Sequence, residues 1–446
     1  MADFAVNRFG AVGDGRTLNT DAIQKALDAA HAAGGGRVVV PPGTWLTGTL
    51  LVRDHVTLEV QSGATLLGST DIAHYPHRRD GHNADRQPHH LLVLAGRGIT
   101  LCGGGTIDGS GPAFWDPPVG QPPWKRARRP RVSPMVECID CADLRIGNLT
   151  LANSAGWTCH LFRCDCVVVH GLRIVNDVFG PNTDGIDING CRDVLVSDCH
   201  IETGDDAIVL KSTADARSCE RIVVTNCIIR SNCAALKLGT ESHHDMRQIA
   251  FSNCVCYASN RAVGLYCLDG ATYEDVLVGN IVADTECGIA LCRPIHLDLR
   301  RRTDESRMGV IRNVRISNFA CRTAGRILLT AEKGGLLQNI LLRDVQLTYR
   351  QVEDPVPLVP QAKSTQFSNR SPEARAARAA VVAENVQGLE LRDLVINWPA
   401  HSEVPMHALW GRNLQGGVIA SPLARPSASG VPALDLAGSS ISHTGG

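Results

Sequence analysis

The sequence predicts an all-β chain wound into a parallel β-helix, with one α-helix capping its N-terminal end. Three observations carry that expectation. From about residue 140 a pattern recurs in steps that are mostly about 23 to 28 residues, a solenoid period. Aligning IGNLTL, VHGLRI, VSDCHI, VTNCII, FSNCVC, VGNIVA, ISNFAC and LRDVQL places Asn148, Gly171, Asp198, Asn226, Asn253, Asn280, Asn318 and Asp344 in one column. The next column, Leu149, Leu172, Cys199, Cys227, Cys254, Ile281, Phe319 and Val345, is apolar throughout, as stacked inward-facing side chains must be. Finally, 43 glycines against 4% aromatic residues suit a fold of many short strands and tight turns.

Each element follows from local chemistry. Residues 19–33, NTDAIQKALDAAHAA, read as a helix: Asn19 or Thr20 caps it, Ile23, Ala26, Leu27 and Ala30 share a face, and Gly34 to Gly36 end it. A β-helix leaves open strand edges and an apolar core at its end, and an amphipathic helix covers them. The strand-like runs GRVVVPPG, VTLEV, ATLLG, HLLVLAG and GITLCG follow. The Asn/Asp column fits turns, because these side chains bond nearby backbone and tolerate left-handed conformations. Each repeat holds two or three short strands and no second helix, which argues against leucine-rich and helical repeats. Residues 116–134 and 351–378 read as long loops, GLELRDLVIN as one more coil, and 420–446 as a small, polar tail. All of these belong to one expected domain, 1–446.

Composition bounds the function. Hydrophobic residues at 44% and charged residues at 20% describe a folded, soluble protein. A net charge of −1 steers the chain toward neither nucleic acid nor an anionic membrane, and no apolar run is long enough to span a bilayer. The opening MADFAVNRFGAVGDG lacks the basic-then-apolar pattern of a secretory signal, so a cytoplasmic location is expected unless a leader was removed. Seventeen cysteines, an odd number without zinc-type spacing, read as small buried hydrophobes. No metal or cofactor is expected.

The chemistry concentrates in residues 178–212, VFGPNTDGIDINGCRDVLVSDCHIETGDDAIVLKS. Asp184 and Asp205 are 21 residues apart, close to one coil, and stacked strands lie about 4.8 Å apart. Asp205 and Asp206 would ordinarily face opposite ways, and Gly204 permits a bulge that turns both outward. Three carboxylates then crowd one outer face. Like charges this close raise one another's pKa values, and a neutral carboxyl beside ionised ones is what glycoside hydrolysis requires. Asp187, Asp193 and Asp198 read instead as surface ion pairs or turn formers.

These motifs resemble glycoside hydrolase family 28, the polygalacturonase-like family. The resemblance covers most of the chain, through FGAVGDGRTLNTDAIQKALDAA, VVVPPGTW, GGGTIDGSGPAFW, NSAGWTCH, PNTDGIDI and TGDDAIVLKS. It implies a single-stranded right-handed parallel β-helix and hydrolysis of α-linked, mostly galacturonate- or rhamnose-containing glycans, with inversion and without a metal. By motif, Asp205 would be the general acid, Asp184 and Asp206 would activate water, and Asn182 and Lys211 would bind the sugar. Two departures stand out. Ala234 occupies the place of a histidine found in many polygalacturonases. Tyr266 and Leu268 fall where an Arg-x-Lys pair grips the galacturonate carboxylate, and a tyrosine does not replace an arginine fork. A neutral or differently decorated glycoside, with Tyr266 stacking on a sugar, is one reading; a carboxylate met by Lys237 or Arg261 is the other.

Several further residues carry two readings each. Lys237 is either a solvated edge lysine or a binding residue, and Glu241, His243 and His244 read as a surface turn. Trp115 and Trp124 flank DPPVGQPPWK, where tryptophan serves as a sugar platform or packs on the wall. The basic run 125–131, KRARRPR, reads as a loop meeting acidic glycan, since it lacks aromatic interleaving. The expected partner is an oligosaccharide or polysaccharide, and exo action is possible if the long loops close one end of the groove. The rival readings are a polysaccharide lyase on the same architecture and a non-catalytic glycan-binding β-helix.

Overall fold

The computed structural model describes residues 2–78, 85–117, 124–286, 292–355, 371–420 and 425–444. Two compact units divide the chain, one holding Met1–Leu210 with Asp215–Arg217, the other Lys211–Ala214 with Ser218–Gly446. Each is built of short parallel strands that pair coil upon coil.

In the first unit, Leu66, Ile107, Leu151, Ile174 and Ile201 are opposite one another on five successive coils. A second ladder runs through Val38, Leu58, Leu101, Ile146, Val169 and Val196. In the second unit the equivalent ladder is Val224, Phe251, Val278, Ile316, Leu342, Leu391 and Ile419. All of these side chains are buried, each contributing roughly 1.5–3 kcal/mol by leaving water. Regular alternation makes the stack: every second residue points inward, and the next coil repeats the choice.

The corners explain the polar column. Asn148, Gly171, Asp198, Asn226, Asn253, Asn280, Asn318 and Asp344 all adopt left-handed backbone, with φ between 51° and 62°. In the second unit the amides also bond along the stack, Asn280 Nδ2 donating to Asn253 Oδ1 at 2.9 Å and Asn318 Nδ2 to Asn280 Oδ1 at 2.7 Å. The adjoining column is buried from Leu149 to Val345, cysteines included. The sixteen described cysteines are free thiols, fourteen of them buried.

The helix spans Thr20–Ala32 and buries Ile23, Ala26, Leu27 and Ala30. Gln24 reaches a strand edge, accepting from Leu51 N–H at 2.8 Å and donating to the Leu51 carbonyl at 3.1 Å. Asn19 precedes the helix without a side-chain cap bond. It ties down the preceding loop instead, accepting from Val12 N–H at 2.7 Å and donating to the Thr17 carbonyl at 2.7 Å.

Two segments depart from expectation. The tail is not merely a coil: Leu434–Asp435 and Ser440–Thr444 pair in parallel with His407–Ala420, adding strands that small residues concealed. Within 351–378, residues 356–370 lie outside the described residues, and Pro372–Ala376 forms a short helix. Its Ala374, with the following Ala377, packs among Leu328, Val382 and Trp410. Among the described residues no helix is long and apolar enough to cross a membrane.

Candidate active site

Three successive coil corners of the first unit carry the signature residues, and side-chain hydrogen bonds tie them together. Ser154 N–H donates to Asn176 Oδ1 at 2.9 Å, and Asn176 Nδ2 donates to Thr158 Oγ1 at 2.7 Å. Gly204 N–H donates to Thr183 Oγ1 at 3.0 Å. The backbone ladder continues with Thr158 N–H to the Asp184 carbonyl at 3.0 Å, Gly185 N–H to Asp206 at 2.9 Å and Ile186 N–H to Ala207 at 2.8 Å. In a parallel pair that pattern sets Asp184 beside Asp206 and Thr183 beside Asp205, one strand spacing of about 4.8 Å away.

Glycine permits this closeness. A Cβ on Gly185 would lie 2.4 Å from the Ala207 carbonyl oxygen, and one on Gly204 would lie 2.6 Å from the Gly180 carbonyl oxygen. The expected bulge at Gly204 is instead a corner, joining the strands His200–Thr203 and Ile208–Ser212. A corner frees both neighbouring aspartates from strand alternation. Asp184 and Asp206 are each only 2% exposed, whereas Asp205 is half-buried. Asp205 Oδ1 accepts from Asp206 N–H at 3.1 Å, and its carbonyl accepts from Thr203 Oγ1 at 2.6 Å.

Arg131 is the main residue that sequence reasoning missed. The run 125–131 does not meet solvent as one basic loop. Arg131 is fully buried and donates from Nη1 to the carbonyls of Ala155 at 2.9 Å and Pro181 at 2.7 Å, and from Nη2 to Asn182 Oδ1 at 3.4 Å. It thereby clamps two of the three corners and orients Asn182, whose backbone is left-handed at φ 51°. Burial lowers its pKa, opposed by the charges of Asp85, Asp184 and Asp205, so the guanidinium is electrostatically coupled to the acidic corner. Lys125 also turns inward, pairing with Asp177. The sequence signal for Arg131 is its place at the end of that run, set off by Pro130 and followed by Val132.

Asp187 is a second correction, being buried rather than a surface pair. Glu137, His160 and Asp187 stand opposite one another on consecutive coils. Glu137 Oε2 lies 2.8 Å from His160 Nδ1, and Arg86 Nε donates to Glu137 Oε1 at 3.0 Å. Asn189 Nδ2 lies 3.2 Å from His160 Nε2. Burial would raise the Glu137 carboxyl, but His160, then His90 and Arg86, hold it down at about 2. Asp193 and Asp198 do adopt left-handed turns.

The second unit gathers the expected binding residues around a buried phenol. Lys211 Nζ lies 3.3 Å from Glu241 Oε2. Burial would raise the Glu241 carboxyl; Lys211, Lys237 and Arg302 outweigh it and bring it to about 2. Lys237 is buried with its ammonium 5.6 Å from the Tyr266 ring centroid. Arg261 is buried and donates to Cys233 Sγ at 3.4 Å. Tyr266 is 1% exposed, its hydroxyl 3.0 Å from His296 Nδ1, so its ring offers no open face for sugar stacking. Trp115 is likewise no platform: it is 5% exposed and its indole N–H donates to the Ala155 carbonyl at 2.9 Å. Trp124 meets Phe179 edge-on at 5.6 Å.

The chain as a whole has relatives among known proteins. The chain is 32% identical over 274 residues to a probable polygalacturonase of Vitis vinifera, covering 57% of this chain and 55% of that one. It is 28% identical over 249 residues to an exo-poly-alpha-D-galacturonosidase of Dickeya chrysanthemi, covering 46% and 41% respectively. The chain thus spans about half the length of these curated relatives. A hyperthermoactive exopolygalacturonase of Thermotoga maritima superposes with a TM-score of 0.70 at 21% identity, over 89% of this chain and 92% of that one, a likeness of parallel β-helix fold. The model for rhamnogalacturonase A/epimerase, pectate lyase-like proteins matches residues 4–71. The model for glycosyl hydrolases family 28 matches residues 46–274, just over half of the sequence and inclusive of all three aspartates, and the chain belongs to that family.

Proposed function

We propose that the protein is an inverting glycoside hydrolase that cleaves α-linked glycosidic bonds in galacturonide- or rhamnose-containing oligosaccharides. The observation that carries this reading is the placement of Asp184 beside Asp206, with Asp205 half-open on the same corner. Asp205 is the proton donor. Half-open on the corner, its carboxyl can deliver a proton to the leaving oxygen. Asp184 and Asp206 are the ionised pair that orients a water and takes its proton as it attacks the anomeric carbon. Arg131 holds the corners in register, and its positive charge favours ionised carboxylates nearby.

Galacturonide is the favoured sugar. The relatives named above are polygalacturonases, and the cations Lys211, Lys237 and Arg261 suit an acidic glycan. Exo action is supported by the names of two of those proteins.

The test is product analysis on oligogalacturonates. Hydrolysis yields one new reducing end per bond and no unsaturated sugar, and proton NMR of the first products shows the β-anomer from an α-linkage. Ultraviolet-absorbing unsaturated products would indicate a lyase, and absence of any turnover across α-galacturonides and α-rhamnosides would favour a binding protein.

A further inference from the structure

Glu241, expected in a surface turn, stands instead near the end of the strand Ala234–Ser242, with its carboxylate tied into a set of charges within the second unit. Lys211 Nζ lies 3.3 Å from Glu241 Oε2. The pair opens to solvent on the carboxylate side, the side chains being 6% exposed for Lys211 and 31% for Glu241. A secluded ammonium keeps its charge most readily with an anion beside it. Burial would raise the Glu241 carboxyl, but Lys211, Lys237 and Arg302 bring it to about 2, so that anion persists at neutral pH.

A second ion pair fixes the backbone on both sides of Glu241. Arg302 donates from Nε to Asp269 Oδ1 at 2.7 Å and from Nη2 to Asp269 Oδ2 at 2.8 Å, the two-bonded geometry of a guanidinium fork. The same Nη2 donates to the Thr240 carbonyl at 2.8 Å. Asp269 Oδ2 in turn accepts from Ser242 N–H at 2.9 Å. Ser242 Oγ accepts from the N–H groups of Leu268 and Asp269 at 2.7 and 2.9 Å. Thr240 and Ser242 are the chain neighbours of Glu241, so the strand that carries its carboxylate is clamped before and after it. A solvated turn has no need of such a clamp.

We propose that Glu241 is a positioning residue for glycan binding: it fixes the ammonium of Lys211, and the Arg302–Asp269 fork fixes Glu241. A lysine free to sample its rotamers gives up that freedom when it takes hold of a sugar oxygen. With Glu241 beside it, Lys211 is ordered before the glycan arrives, and binding is strengthened by the ordering it no longer has to do. The inference rests on the glycan-hydrolase reading, in which Lys211 binds the sugar, and adds a residue that sets affinity through Lys211 alone.

The experiment measures binding without turnover. Calorimetry with trigalacturonate on full-length Asp205→Asn protein is carried through a double-mutant cycle of Glu241→Gln and Lys211→Met. Glu241→Gln keeps the shape of the side chain and removes its charge. It is expected to weaken binding about tenfold, as for the ordering of one long side chain, and Glu241→Asp to weaken it less. In the Lys211→Met background, where no ammonium is left to position, Glu241→Gln is expected to change binding by less than about twofold. Equal losses with and without the Lys211 ammonium, as a merely structural role would give, overturn the proposal. So do unchanged binding by Glu241→Gln and absence of binding by the Asp205→Asn parent. Should a thermal melt show Glu241→Gln unfolded, the cycle with Glu241→Asp is judged by the same criterion. Failure of the hydrolase reading appears separately, as the expected cycle in a protein whose wild type turns nothing over.

Discussion

Replacing Gly185 by alanine is a sharp perturbation of the proposed catalytic geometry, because it touches neither the carboxylates nor any charge. The new Cβ would lie 2.4 Å from the Ala207 carbonyl oxygen and 3.0 Å from the Ile201 Cγ2 methyl. Carbon and carbonyl oxygen approach to about 3.3 Å at closest, so the contact is short by about 0.9 Å. The oxygen cannot swing away without breaking its 2.8 Å bond from Ile186 N–H. The two coils must therefore part at the point where Asp184 and Asp206 adjoin. Misplacement of a reacting group by about 1 Å can cost on the order of 10²-fold in rate, and that is the expected fall in kcat for Gly185→Ala. Steady-state rates on oligogalacturonates, with a thermal melt to confirm folding, make the assay. A folded Gly185→Ala protein with kcat within about threefold of wild type would refute the claim that coil register sets the chemistry.

Two further outcomes follow from the same structure. The Glu137 carboxyl, buried and held at about 2 by His160, His90 and Arg86, has a folded pKa below its unfolded value near 4.5. Its stabilisation is complete above that unfolded value and lost as pH falls toward 2. Melting temperature should hold steady from pH 7 to 5 and then drop, with about 3 kcal/mol at stake, and Glu137→Gln should flatten that drop; identical acid profiles would contradict it. Asn280, at φ 56° and bonded to Asn253 and Asn318, should lose about 1–2 kcal/mol in urea unfolding when changed to alanine. Asn280→Gly should lose less, and equal stability of the two variants would remove backbone strain as the cause.

The fold was legible because a solenoid repeats its physics. Once Asn148 and its equivalents are aligned, left-handed corners and inward neighbours are implied together, and both appear coil after coil. The acidic corner was legible for a related reason, since a separation of one coil brings Asp184 to the corner of Asp205 and Asp206. What escaped was whatever depends on how loops fold over the coils. Arg131 looks like one more cation in KRARRPR, and only the convergence of the Ala155 and Pro181 carbonyls makes its burial favourable. Trp115 and Tyr266 are surface-like in sequence, yet each finds a buried partner for its polar atom, the Ala155 carbonyl and His296. The terminal strands are hidden by glycine and serine, which pair in register without showing an apolar alternation.

The most direct test of the account is the turnover of oligogalacturonate by Asp205→Asn. The substitution keeps the shape of the corner and the acceptor oxygen for Asp206 N–H while removing the transferable proton. Loss of kcat by at least about 10²-fold in a protein that melts like wild type is the predicted result. Undiminished turnover by that variant would contradict it, and with it the assignment of the aspartate corner as the place where the bond is broken.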